Sequence, residues 1–379
     1  MEMELEETPK LEPIWQNLPL IFKKDVVEKL DYKGRCSLQK CSISDQTTVD
    51  SSPVNLHDVA IQICADYTIF SFSDDGNTIF TVKYFKDSEK NEMKVEFTES
   101  PKVYVPGKNV KTISKKIRIL ENIREVDDMD FAIQDFLMAI QKLKVKKILI
   151  NDVIIADYHP VADERRTSDF NGQILKALAY LTQKKKIEAE NLKLKWRADS
   201  DEVLQILTNF QPGTLKKIEF SDRKATWNMR KVAESEQWKR AEEIYLEVMT
   251  DLELDDLLHV NEIQAHVSDM EPDKVWRVIK AFLQKPIPGA SFHFSYQNAS
   301  PDLNGILAKF DVIPQNLPIQ AQTQLRTVLT RRFLFTQRFP MADRRLVLVF
   351  MIAEKEVLGT VCHVENVNLE AKVERGLLR

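Results

Sequence analysis

Apolar residues near the start of the chain recur at helical spacing and then, further on, at strand spacing. Phe22, Val26 and Leu30 stand at i, i+4 and i+8, which places them on one helical face. Pro19 suits the first turn of that helix, where its missing N–H breaks no hydrogen bond. The stretch Asp31-Tyr32-Lys33-Gly34 interrupts the pattern, and Leu38, Cys41 and Val49 form a second short apolar set. Helices this short carry too little apolar material to close a core by themselves, so they need something to pack on.

Alternation takes over next. Ile69, Phe70 and Phe72 lead into Asp74-Asp75-Gly76-Asn77, and Ile79, Phe80, Val82 and Tyr84 follow. An Asp-Gly pair between two such runs predicts a hairpin. Met93, Val95 and Phe97 alternate with Lys94 and Glu96, as in a half-buried strand, before Pro101 and Pro106-Gly107 close the segment. Residues 54–107 therefore read as a small antiparallel β-hairpin unit linking its two neighbours.

From Lys108 a pattern of apolar-x-x-apolar-x-apolar recurs: Val145/Ile148/Ile150, Ala189/Leu192/Leu194, Leu215/Ile218/Phe220, Ala241/Ile244/Leu246 and Val260/Ile263/Ala265, continued by Phe292/Phe294. After the first, these steps lie near the about 20 to 29 residues of leucine-rich-type repeats. Amphipathic helices are predicted between them. Ile133, Phe136, Leu137 and Ile140 mark one; Ile174, Leu175, Leu178 and Leu181 a second. Val203, Leu204, Leu207 and Phe210 mark a third, after a capping-box-like Asp199-Ser200-Asp201-Glu202. Val275, Ile279, Phe282 and Leu283 mark a fourth, with Pro272 in its first turn. Strands alternating with helices predict a parallel arrangement with right-handed crossovers. Residues 300–379 begin with Pro301, Pro314 and Pro318. They then carry the continuous apolar run Leu346 to Phe350, a buried strand, with Val357 to Val364 as its hairpin partner. These strands are expected to cap the repeat stack, whose end would otherwise leave an apolar face wet.

The frame Trp15-x-x-Leu18-Pro19, Val26-x-x-x-Leu30-Asp31-Tyr32, Arg35-x-x-Leu38-x-x-Cys41-Ser42 and Val49-Asp50 resembles an F-box. More narrowly, it resembles the version in the nematode family that couples an F-box to an FTH domain. Positions after Pro19 and around Ile43 to Thr48 depart from the basic and tryptophan residues many F-boxes show there. Leu143 to Asp152, Leu215 to Phe220 and Gln237 to Leu246 are similar to the FTH domain, in the family's order. The resemblance implies that Leu18, Pro19, Phe22, Val26, Leu30, Leu38 and Cys41 dock a Skp-type adaptor. That adaptor joins the chain to a cullin complex, an SCF-type ubiquitin ligase.

Composition narrows the rest. A chain of 379 residues with 43% hydrophobic and 30% charged residues accommodates two or three globular domains. Its 54 basic and 58 acidic residues leave a net charge of −4, which gives no global reason to expect nucleic acid as a partner. Only 9 glycines are present, against glycine-lined phosphate loops, and Gly107-Lys108-Asn109 lacks the first glycine and the Ser or Thr of a P-loop. Cys36, Cys41, Cys64 and Cys362 have neither paired spacing nor a secretory leader ahead of them, so reduced thiols in cytoplasm or nucleus are expected. No apolar run reaches the about 20 residues of a membrane span. The histidines never pair with cysteine at ligand spacing, so neither metal nor cofactor is expected. No nucleophile elbow or cysteine box is found, and Asp127-Asp128-x-Asp130 and Asp255-Asp256 suit helix starts better than acid–base work, which points to a non-enzyme.

One basic stretch stands apart. Arg331, Arg332, Phe333 and Arg338 interleave cations with rings, as a single-strand binder would, although rings turned into a core explain the same pattern. The fold class is α/β, mixed α+β overall. The expected order is an acidic tail at 1–11, a helical F-box at 12–53, the β-hairpin linker unit at 54–107, a leucine-rich-repeat-like FTH solenoid at 108–299 and a C-terminal cap at 300–379. The expected function is recruitment of a protein target to the ligase. The alternative is a non-catalytic RNA-associated or protein–protein scaffold with a vestigial F-box.

Overall fold

The computed structural model describes residues 15, 18–30, 32–52, 54–64, 66–73, 78–87, 92–101, 114–120, 128–151, 164–183, 185–195, 200–221, 226–267, 271–296, 302–309 and 333–366. The acidic tail, the Asp74–Asn77 turn and the prolines at 314 and 318 lie outside them.

Three short helices come first: α1 (Leu20–Lys29), α2 (Tyr32–Gln39) and α3 (Ile43–Ser51). Pro19 sits one step earlier than the sequence suggests, as the N-cap of α1 with extended backbone. Ser42 caps α3 by accepting from the Asp45 N–H at 3.0 Å. Among the described residues the buried apolar side chains of this unit are Val27 and Val49, and neither joins the apolar cluster of the body. Polar groups share the interior. Trp15 Nε1 donates to Asp45 Oδ1 at 2.7 Å, and Arg35 reaches the carbonyls of Leu30 at 3.2 Å and Ser52 at 3.4 Å.

The body is one large sheet. Its first strands are β1 (Val54–Ile63), β2 (Thr68–Ser73), β3 (Thr78–Asp87), β4 (Glu92–Pro101) and β5 (Ser114–Leu120). Helix α4 (Asp128–Lys142) leads to β6 (Leu143–Asn151), α5 (Glu164–Leu181) to β7 (Asn191–Lys195), and α6 (Ser200–Leu207) to β8 (Lys217–Phe220). A short β9 (Thr226–Trp227) and the single-turn helices α7 (Arg230–Ala233) and α8 (Glu236–Lys239) precede β10 (Glu243–Thr250). Then come β11 (Glu262–Val267), α9 (Pro272–Leu283), β12 (Ser291–Tyr296), α10 (Leu303–Leu307), β13 (Phe333–Pro340), β14 (Leu346–Ala353) and β15 (Glu356–His363). Across the sheet the order is β13-β14-β15-β12-β11-β10-β8-β7-β6-β1-β2-β3-β4-β5, with β9 beside β10.

The register ties this order to the sequence pattern. Ile148, Leu192, Ile218, Ile244, Ile263 and Phe292 pair in one row across six parallel strands. All are buried, in one cluster with apolar residues of α4, α5, α6 and α9. Each such side chain removed from water contributes about 1.5–3 kcal/mol before entropy is counted. The strands follow one another in sequence order with helices on one side, as right-handed crossovers require.

One expectation is corrected. The β-hairpin unit is not a separate linker, because β1 pairs antiparallel with β2 and parallel with β6. Leu56, Val59 and Ile61 oppose Val145, Ile148 and Ile150. These three carry the same i, i+3, i+5 apolar spacing as the later repeats, so the parallel run starts at β1. The meander also runs past residue 107, since β5 pairs with β4.

At the other end β14 and β15 form a hairpin through Glu354-Lys355, and β15 pairs antiparallel with β12. The exposed side of the last parallel strand is thereby closed, which limits edge-to-edge pairing there. Gly359 makes the join possible. A Cβ on it would lie 2.2 Å from Cε1 and 2.3 Å from Cζ of Phe292. Strand β13 then becomes the edge, in a stretch where the sequence shows only interleaved basic and aromatic residues.

Candidate functional site

Two surfaces stand out, the first on α1–α3. Phe22 is 56% exposed and Val26 41%, whereas Val27, on the opposite side of α1, is fully buried. Pro19 and Cys41 are exposed, and Leu18, Leu30 and Leu38 are half-buried. The sequence reading passed over Leu20, Ile21 and Ile43, all strongly exposed, Ile43 at 84%. For Leu20 and Ile21 the adjacent run Leu20-Ile21-Phe22 was the signal, because three consecutive apolar residues on a short helix cannot all turn inward. Apolar surface gathered this way marks an interaction site more often than chance exposure.

This arrangement holds its shape through polar contacts. Hydrogen bonds from Trp15 and Ser42 keep the Asp45 carboxyl below the usual carboxylate range, helped by Lys23. Burial lowers the Arg35 guanidinium from its ordinary value, with Glu28 opposing.

The second surface is the sheet face turned away from the body helices. Alternation places Lys193, Glu219, Tyr245, Gln264 and His293 in one row there. Lys193 pairs with Glu219, and Lys217 lies 3.3 Å from Glu243 with its ammonium 3.6 Å from the Tyr245 ring centroid. The Tyr245 hydroxyl donates to Glu262. Burial, then that carboxylate, push the phenol well above its ordinary value. Ser295 Oγ lies 2.5 Å from His266 Nδ1, and His293 lies 3.4 Å from Glu356. Val347, Val349, Met351 and Leu358 form a second small apolar cluster on this face of the C-terminal hairpin.

The other sequence candidates do not converge. Arg331 and Arg332 lie outside the described residues, and Phe333 begins β13. Arg338 is exposed, but the next residue, Phe339, packs on Trp276 and Phe350 with ring centroids 6.0 and 6.4 Å apart. Successive strand residues face opposite ways, so these two cannot form one cation–ring platform. Cys41, Cys64 and Cys362 form no disulfide. Among the described residues no group of three or more His, Cys, Asp or Glu side chains could hold a metal, and no helix is long and apolar enough to cross a membrane. A shallow cleft of about 610 Å³ opens beside Leu56, His57, Val145, Lys146 and Ala189. It lies at the starts of the parallel strands, whereas ligands of open α/β sheets sit beyond the strands' carboxyl ends.

A buried tryptophan, Trp238, ties the segment after β8 to the turn ahead of β11. Ser235 caps α8, and its side chain accepts from the Trp238 N–H at 3.3 Å. The buried Trp238 ring stacks on Phe220 at 6.4 Å and 19°, and its Nε1 donates to the Asp256 carbonyl at 2.9 Å. Gln237 Nε2 donates to the Phe210 carbonyl at 2.8 Å. His259 Nε2 stands 2.9 Å from the Trp238 carbonyl and so carries the proton there; burial lowers its pKa. His259 and His266, seven residues apart in sequence, thus serve separate contacts. This strand-and-helix unit is the part of the chain with a recognised likeness. Residues 173–306 match the FTH domain. The FTH match runs from within α5 to α10 and takes in β7 through β12, just over a third of the chain. No curated protein and no solved structure matches the chain. Inside the FTH segment, Lys285 donates to the Val260 carbonyl, and burial brings its pKa down to about 8.

Proposed function

We propose that this chain is an F-box substrate-recruiting subunit of an SCF-type ubiquitin ligase. Its α1–α3 unit docks a Skp-type adaptor within a cullin complex, and the FTH-containing parallel run acts as a leucine-rich-repeat-like solenoid whose outer face holds a protein target. Leu20, Ile21, Phe22, Val26 and Ile43 carry this reading, because they leave an apolar ridge outward on helices that bury little else. Helix-in-groove partners take up such ridges through a few central anchors. The FTH match supports the same reading, since this is the domain the F-box resemblance pairs with. Ligase chemistry belongs to other subunits, and this chain supplies proximity.

Capture of the full chain by an immobilised Skp-type adaptor tests it. Phe22→Asp with Val26→Asp should reduce capture by at least about a hundredfold, since two desolvated anchors become charges. Undiminished capture by that double variant, with its fold intact by circular dichroism, would remove the F-box reading.

A further inference from the structure

The outer face of the sheet is divided by charge. Over β6, β7 and β8 it carries Lys147, Lys193, Lys195 and Lys217 against Glu219, with Asp58 beside them on β1. Over β10, β11 and β15 it carries Glu243, Glu247, Glu262 and Glu356. The described residues of β10, β11, β12 and β15 include no lysine or arginine. Next to the basic half lies a small hollow of about 220 Å³, lined by Asp58, Ala60, Ser71, Ile79, Lys147 and Leu149. That is below the about 300 Å³ at which pockets for whole small molecules begin, and it suits one inserted side chain. Ala60, Ile79 and Leu149 give it apolar contacts, and Lys147 stands at its rim.

We propose that this half of the outer face binds an acidic protein segment, with one aliphatic side chain seated among Ala60, Ile79 and Leu149 and carboxylates laid over Lys147, Lys193, Lys195 and Lys217. Lys193 already meets Glu219 at 24% and 18% side-chain exposure, and Lys217 meets Glu243 at 28% and 38%, so incoming carboxylates join these pairs at their open side, with Lys147 and Lys195 beside them. The acidic half sets the direction: a carboxylate-rich segment continuing past β8 meets Glu243 and Glu247 and is turned away. The same repulsion disfavours RNA, whose phosphates recur at every nucleotide. The inference takes the outer face as the target-holding surface of the F-box reading and names the chemistry of that target.

The test needs no adaptor, so failure of one reading is distinguishable from failure of the other. A fluorescein-labelled peptide of alternating glutamate and serine, with one leucine near an end, is titrated with the full chain and followed by anisotropy. Three probes of the same length accompany it: one with serine for the leucine, one with lysine for the glutamates, and oligouridine RNA. The leucine peptide should bind most tightly and release as salt rises. Lys193→Glu with Lys195→Glu should weaken it about tenfold or more. Ala60→Phe and, from a different strand, Ile79→Trp should each abolish its preference over the serine peptide. Glu247→Lys should leave binding unchanged or tighter. Equal affinity for leucine and serine peptides, no binding of either, or tighter binding of the lysine peptide or RNA would overturn the proposal.

Discussion

In the sheet body Ile148, Leu192, Ile218, Ile244, Ile263 and Phe292 are all buried, while Lys193, Glu219 and Gln264 face outward. In the N-terminal helices the placement is reversed. Leu20, Ile21 and Phe22 point outward, and Arg35, Asp45, Thr48 and Ser52 lie inside. The body is stabilised by apolar area removed from water. The helical unit is held by directed hydrogen bonds, whose net contribution is about 1 kcal/mol each. A unit built that way is marginal by itself.

The largest expected effect separates the two regions by a matched pair. Phe292→Ala should cost about 3–5 kcal/mol in denaturant unfolding, because a fully enclosed ring leaves a cavity. Phe22→Ala should stay within about 0.5 kcal/mol, as at an ordinary surface position. Similar losses from both would erase the contrast. A smaller effect is expected from Gly359→Ala. The added methyl group meets the Phe292 ring, and crowding of this kind costs about 1–3 kcal/mol. Thermal unfolding reads this, and an unchanged midpoint would mean the ring has room to move.

The mildest effect concerns acid. Asp45 has its pKa depressed in the folded chain, so the stability it contributes is complete above the ordinary carboxylate value. That stability is lost as pH falls through the depressed one. Acid should therefore loosen α1–α3 before the sheet. The difference in tryptophan fluorescence between the protein and Trp15→Phe should change over that acid window. Asp45→Asn should flatten the change, and a transition coincident with sheet unfolding would contradict it.

Much of the body was legible in the sequence. The apolar triplets named the inward row residue for residue, because in a parallel stack each strand carries its own burial pattern and needs no distant information. The join of β1 to β6 was missed, although Leu56, Val59 and Ile61 repeat the triplet. Its partner lies beyond the whole meander, and a sequence pattern does not report pairing at that separation. The outer-face row was not legible either. Lys193, Glu219, Tyr245 and His293 are scattered along the chain as unremarkable polar residues and become neighbours only through register. On α1 the spacing of Phe22 and Val26 gave the ridge, but the interior of Arg35 and Asp45 was hidden, since polar residues on short helices ordinarily face water.

The order of the strands bears on how the chain is made. On a ribosome, β7, β8, β10 and β11 each find the preceding strand already synthesised, so the growing stack lengthens one rung at a time. β12 meets a different situation. Its second neighbour is β15, which is synthesised only after β13 and β14, and until that hairpin emerges the nascent stack keeps an unpaired rung that chaperones would be expected to guard.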